Sequence, residues 1–210
     1  MVTPRWVKIC GLTNLEDARA AVEAGADAVG FVLVSTSPRA LSRREIEQVL
    51  MALPRTVLTV GVVGDEDPDF LRDLLRVCPF GAIQFHGEEP PEEVLKLKGE
   101  AKLIKAVRVH DARSLEIIPR YQGVDAVLLE SYDPQRKGGT GTTFDWTLAA
   151  QARGFGIPVI VAGGLTPANV QEVVRQADRY GVDVSSGVES APGRKDPALI
   201  REFVLKAKQR

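Results

Sequence analysis

Short apolar runs rich in valine and isoleucine recur along the chain, and each is followed by a stretch of helical periodicity. That alternation is the pattern of βα units feeding a parallel sheet. It predicts eight strands, near residues 5–10, 27–33, 56–63, 81–85, 102–108, 124–130, 157–162 and 182–186. The runs are mostly continuous rather than alternating, as expected when helices cover one face of a sheet and its own side chains fill the other.

Helices fit between the strands at 14–24, 42–53, 67–76, 90–99, 111–121, 145–153, 167–179 and 196–208. Asn14, Ser42, Asp67, Asp111, Asp145 and Asp196 stand where N-caps belong, because a short polar side chain there can accept from the first free backbone N–H groups. Gly25 and Gly154 suit helix ends. Eight βα units without a linker or compositional break predict an α/β fold of the (β/α)8 TIM-barrel type, a parallel eight-stranded barrel forming one catalytic domain over 1–210. An open doubly wound sheet uses the same alternation and is the competing topology. The longest predicted loop, 131–144, is glycine-rich and follows the sixth strand; loops of that length in a compact barrel usually serve function, here closure over a substrate.

Composition narrows the partners. With 27 Lys and Arg against 28 Asp and Glu, the 210-residue chain has no overall basic field to gather nucleic acid or an anionic membrane. A small molecule is the expected partner. The first residues have no apolar stretch of signal-peptide length, and no run approaches the roughly 18 apolar residues of a membrane span, so a cytoplasmic protein is expected. Two cysteines and two histidines without ligand spacing predict no structural metal.

Barrel enzymes keep their chemistry at the C-terminal ends of the strands. Cys10 ends the first predicted strand, Arg39 follows the second, His86 ends the fourth and Glu130 the sixth; Gly163 and Gly164 follow the seventh, and Ser185, Ser186 and Gly187 end the eighth. Small residues after the last two strands let backbone N–H groups approach a phosphate, although the same glycines would also suit tight turns. Cys10 and Glu130 could act as base and acid on opposite sides of a substrate, with an ion pair to a loop cation such as Lys137 as the plainer role for Glu130. Arg39 could hold a carboxylate in a bidentate fork or equally be an ordinary surface arginine. His86 could touch substrate or orient a neighbour, or equally be a hydrogen-bonded structural histidine. Cys78, between a helix and Pro79, reads as structural.

The blocks KICGLTN (8–14), QFHGEE (84–89), GGTGTTFDW (138–146), VAGGLTPANV (161–170) and VDVSSGVES (182–190) resemble, in order and spacing, those of the phosphoribosylanthranilate isomerases of tryptophan biosynthesis. The resemblance spans nearly the whole chain. It implies an Amadori rearrangement of N-(5-phosphoribosyl)anthranilate to 1-(o-carboxyphenylamino)-1-deoxyribulose 5-phosphate by general acid and base, without cofactor or metal. It further implies Cys10 as base, Arg39 as the anthranilate carboxylate's partner and a phosphorylated small molecule as substrate. The family's acid is an aspartate, and Glu130 stands in its place. Thr142 is a second departure, where the family often has lysine. Some members dimerise, which leaves a homodimer open. Sibling barrels such as indole-glycerol-phosphate synthases or ribulose-phosphate epimerases would carry a similar phosphate site, but they need a catalytic lysine or metal-binding carboxylates that the strand ends do not clearly offer.

Overall fold

Side chains along each strand alternate between two apolar surfaces, and that alternation positions the site. The computed structural model describes residues 6–131, 147–176 and 181–209. Eight strands close into a barrel in sequence order: β1 (Val7–Ile9), β2 (Ala28–Val32), β3 (Leu58–Val63), β4 (Ala82–Phe85), β5 (Lys102–Val109), β6 (Ala126–Ser131), β7 (Val159–Val161) and β8 (Gly181–Val184). Every neighbouring pair is parallel, and β8 closes on β1. The closed barrel, not the open sheet, is therefore the topology.

Val7, Ile9, Val29, Phe31, Ile83, Phe85, Val127 and Leu129 belong to the apolar layer shared with the helices. Trp6, Ala28, Val60, Ala82, Ile104, Leu128 and Ile160 form a separate cluster, the filling of the barrel itself. With a period of two, the parity of a residue number within a strand decides which surface it joins. Cys10, Gln84, Glu130 and Asp183 all share the inward parity.

The helices are α1 (Leu15–Glu23), α2 (Arg43–Met51), α3 (Pro68–Val77), α4 (Pro91–Leu95), α5 (Thr147–Ala152), α6 (Val170–Gln176) and α7 (Pro197–Lys208). The expected caps form at Asn14, Ser42, Asp67 and Asp196, each accepting backbone N–H groups of its helix, and Ser42 completes a capping box with Glu45. Each such cap stabilises its helix by about 1 kcal/mol.

Several expected elements differ. The helix expected at 111–121 is a 3-10 segment, Ala112–Tyr121, capped by Asp111 and containing Pro119, whose missing N–H cannot join an α-helical ladder. The helix expected over 90–99 ends at Leu95, and the chain turns back through Gly99 at φ +94. The one expected from 167 starts at Val170, because Thr166 N–H donates to Asn169 Oδ1 at 2.8 Å and holds the preceding residues in a turn. Gly156, at φ +78, takes the left-handed position expected of Gly154. A hairpin that was not expected, β9 (Glu189–Ala191) with β10 (Arg194–Lys195), follows the eighth strand around Gly193 at φ +78. Beyond Ser131, the glycine-rich loop, Asp133, Lys137, Thr142 and the Asp145 cap lie outside the described residues.

Candidate active site

Lys8 and Asp183 are Cα partners across β1 and β8, so their inward side chains meet inside the barrel. Lys8 Nζ lies 3.0 Å from Asp183 Oδ2, and the lysine is fully buried. Cys10 follows β1, its backbone N–H donating to Val184 O at 2.8 Å, and its thiol is buried two residues above Lys8 on the same surface. Gly30 on β2 makes that packing feasible: a Cβ there would lie 2.8 Å from Cys10 Sγ and 3.1 Å from Lys8 Nζ. Burial pushes the Cys10 thiol up, and the Lys8 ammonium beside it pulls down without cancelling the rise. For Lys8, burial favours the neutral amine, but Asp183 and Cys10 outweigh it, so the ammonium persists.

Three strands away around the barrel, Glu130 projects inward from β6. Its Oε2 lies 2.9 Å from His86 Nε2, and His86 Nδ1 lies 3.0 Å from Gln84 Nε2. The imidazole's backbone is fixed by its N–H donating to Val63 O at 2.8 Å and its carbonyl accepting from Arg108 Nη2 at 3.2 Å. Burial would raise the Glu130 carboxyl, but the His86 hydrogen bond and charge, with Arg108 and Lys8 behind them, hold it below the usual carboxylate range.

Arg39 is already in a fork. Its Nε and Nη2 donate to the two oxygens of Glu189, each at 2.7 Å. Lys195 Nζ donates to Glu189 Oε1 at 2.8 Å and to Ser185 O at 3.0 Å, and its backbone N–H donates to Asp17 Oδ2 at 2.9 Å. The carboxylate held by Arg39 in the free chain is therefore Glu189.

The end of β6 and the loops after β7 and β8 pack directly on one another. Gly163 and Gly164 adopt φ +82 and +66, and a Cβ on Gly163 would come within 2.7 Å of the Ser131 amide nitrogen. A Cβ on Gly187 would run into the Leu165 carbonyl. Asn169 brackets the first of these loops, donating to Gly164 O at 2.9 Å and accepting from Thr166 N–H at 2.8 Å. Ser185 precedes the 3-10 turn Ser186–Val188, so Ser186 and Gly187 begin it beside that loop. The small residues expected to face an anion thus lie together at the mouth. Cys78 is buried with its thiol against Arg43 O at 3.5 Å, away from this mouth.

Lys8, Gln84, Asp183, Glu189 and Lys195 were not singled out from the sequence. The signal for three of them was present: Lys8, Gln84 and Asp183 each interrupt an apolar strand at the inward parity. Among the described residues, no group of three or more His, Cys, Asp or Glu is arranged to hold a metal ion.

Fold and site define a (β/α)8 barrel with a thiol and a carboxyl on two sides of its C-terminal mouth. The family model for N-(5'phosphoribosyl)anthranilate (PRA) isomerase matches residues 7–206. The chain is 50% identical over 202 residues to N-(5'-phosphoribosyl)anthranilate isomerase of Geobacter sulfurreducens, covering 96% of this chain and 98% of that one. Among solved structures it is similar to phosphoribosylanthranilate isomerase in complex with reduced 1-(o-carboxyphenylamino)-1-deoxyribulose 5-phosphate, at TM-score 0.88, 39% identity and 99% coverage of both chains. It is also similar to monomers made from the dimeric enzyme of Thermotoga maritima, at TM-score 0.87, 38% identity and 99% coverage of both. The chain belongs to the N-(5'-phosphoribosyl)anthranilate isomerase family.

Proposed function

We propose that the chain isomerises N-(5-phosphoribosyl)anthranilate to 1-(o-carboxyphenylamino)-1-deoxyribulose 5-phosphate. Family membership over nearly the whole length carries the reading. The thiol and carboxyl at the barrel mouth supply the two groups the reaction needs. A proton passes from the Glu130 side to the furanose ring oxygen as the C1–O bond breaks, and the nitrogen lone pair forms the C1=N bond. Cys10, as thiolate, removes the C2 proton; those electrons form C1=C2 and neutralise the nitrogen. The enolamine then tautomerises to the ketone, so no atom is gained or lost and no redox partner is required.

Lys8 has a defined part in this scheme. A thiol raised by burial needs a nearby cation to become a base, and Lys8 is positioned to stabilise the thiolate. Gly163, Gly164, Ser185, Ser186 and Gly187 would hold the 5-phosphate, fixing the sugar between the two groups and converting binding into orientation. Arg39 would exchange Glu189 for the anthranilate carboxylate, an exchange between like partners that leaves the guanidinium paired throughout. The dimeric relative supports a homodimer, which sedimentation tests. No helix among the described residues is long and apolar enough to cross a membrane, and the phosphorylated substrate fits a cytoplasmic site of action.

The direct test generates phosphoribosylanthranilate in place and follows the loss of its fluorescence. Turnover by the chelator-treated chain is expected; no turnover, or turnover only after a divalent ion is restored, refutes the reading.

A further inference from the structure

Among the described residues, only two buried side-chain polar atoms have no hydrogen-bond partner, Gln84 Oε1 and Asp183 Oδ1. Both are acceptors, and both belong to residues with the inward parity of the barrel. A buried acceptor without a donor costs about 1–3 kcal/mol, so the pair marks an arrangement that another orientation can improve.

Gln84 provides that orientation. Its amide stands 3.0 Å from His86 Nδ1, and an amide fills the same space with its oxygen and nitrogen exchanged. While Nε2 donates, Nδ1 is the accepting nitrogen and the imidazole has only its Nε2–H, directed at Glu130 2.9 Å away. That neutral ring has no proton to give, because losing it would leave an imidazolate. With the amide turned, Oε1 accepts from Nδ1–H, the unmatched carbonyl is satisfied, and an N–H₂ group stands where an acceptor was. Two unmatched acceptors on one interior surface become a donor and an acceptor.

We propose that Gln84, His86 and Glu130 act as one proton-donating relay, in which the Gln84 oxygen holds His86 Nδ1–H and the proton destined for substrate rests on His86 Nε2 against Glu130. Transfer breaks Nε2–H and forms O–H on Glu130, leaving an ordinary neutral imidazole; Glu130 then passes the proton to the acceptor atom. Glu130 is the catalytic residue, and His86 and Gln84 are positioning residues acting through it. The relay resolves a difficulty of the site, since a carboxylate on which His86, Arg108, Lys8 and Arg39 all act, against an opposing charge at Asp183, is poorly placed to store a proton by itself. The proposal rests on the isomerase reading only for the identity of the acceptor, the ring oxygen.

Because the chain contains two histidines, nitrogen-15 labelling of histidine gives a readable tautomer assignment, with His110→Asn identifying the second ring. The relay requires His86 with Nδ1 protonated across the active pH range. A ring carrying only Nε2–H throughout that range overturns it, whatever the activity. In kinetics, Gln84→Glu still accepts from Nδ1–H and should retain more of kcat than Gln84→Met, which should lower kcat roughly 10- to 100-fold, part of what acid–base catalysis contributes, with KM nearly unchanged and the alkaline limb of the pH profile, where the proton donor is lost, displaced. Equal activity in Gln84→Met and the unaltered chain sinks the relay. If either variant misfolds, the tautomer of the unaltered chain decides. Failure of that chain to turn over phosphoribosylanthranilate would overturn the isomerase reading instead, and the tautomer measurement keeps the two failures apart.

Discussion

The two sides of the barrel mouth treat an acid differently although both bury it. At β1 and β8 the Cys10 thiol ends above its ordinary value, whereas at β4 and β6 the Glu130 carboxyl ends below its own. Burial is the largest influence on both and acts upward on both. The difference lies in the nearby partners: Lys8 is paired with Asp183 at 3.0 Å, and the Asp183 carboxylate pushes the thiol up while Lys8 pulls it down. His86 directs its Nε2 at Glu130 from 2.9 Å, the carboxylate's side-chain partner among the described residues. Proximity of a partner that favours the ionised form therefore says little about an acid until that partner's other commitments are known.

The sharpest way to break this comparison is to remove the two groups proposed to react. Cys10→Ala should lower kcat by about 10²–10⁴, the range for a lost general base, while binding persists; near-normal kcat would end the assignment of the base. Lys8→Met comes next. It leaves Asp183 buried without its partner, and breaking a buried pair costs about 3–5 kcal/mol; denaturant unfolding would show the loss, and unchanged stability would mean that the pair relaxes easily.

On the other side, Glu130→Gln should lower kcat by about 10² with little change in KM, and a rise confined to KM would recast Glu130 as a binding group. Glu130→Asp sharpens the point, since a shorter arm should lose the 2.9 Å contact with His86 and with it activity. The smallest effect is a titration. With its value raised, the thiolate of Cys10 should form only as pH climbs beyond the ordinary thiol range of about 8.5. Its ultraviolet absorbance, taken as the difference from Cys10→Ser, should therefore rise above that pH. Lys8→Met removes a lowering influence and should move the midpoint higher still; a downward move would contradict the role given to Lys8.

Much of the fold was legible because strand and helix signals repeat with little ambiguity: all eight strands fall within the predicted runs to a residue or two, and the five expected caps that lie among the described residues all form. The misses have local causes, as with Pro119 turning an expected α-helix into a 3-10 segment. The hairpin at 189–195 had a signal, the Pro192-Gly193 dipeptide, that its polar surroundings obscured. The site was legible in part. Cys10, His86 and Glu130 stand at strand ends where chemistry is expected, but Lys8, Gln84 and Asp183 lie inside strands and show themselves only when parity is tracked. Parity also matters because the pattern misleads without it. Lys105 interrupts β5 in the same way yet belongs to the opposite parity, where it pairs with Glu89 at 2.8 Å and lies 5.8 Å from the Tyr121 ring centroid. Arg39 follows β2, but no reading of one segment could reveal its partner 150 residues away.

That separation reaches into how the molecule folds. Lys8 with Asp183 spans 175 positions and Arg39 with Glu189 spans 150, while Asp17 with Lys195 spans 178. All three contacts cross the seam where the first strand meets the last. Loop-closure entropy makes contacts of such range late and slow to form, so a partly assembled barrel would lack the ion pairs beside Cys10 even with most strands in place. Recovery of catalysis during refolding should accordingly lag the recovery of helical signal, and the chemistry of the mouth becomes a clock for the final act of closure.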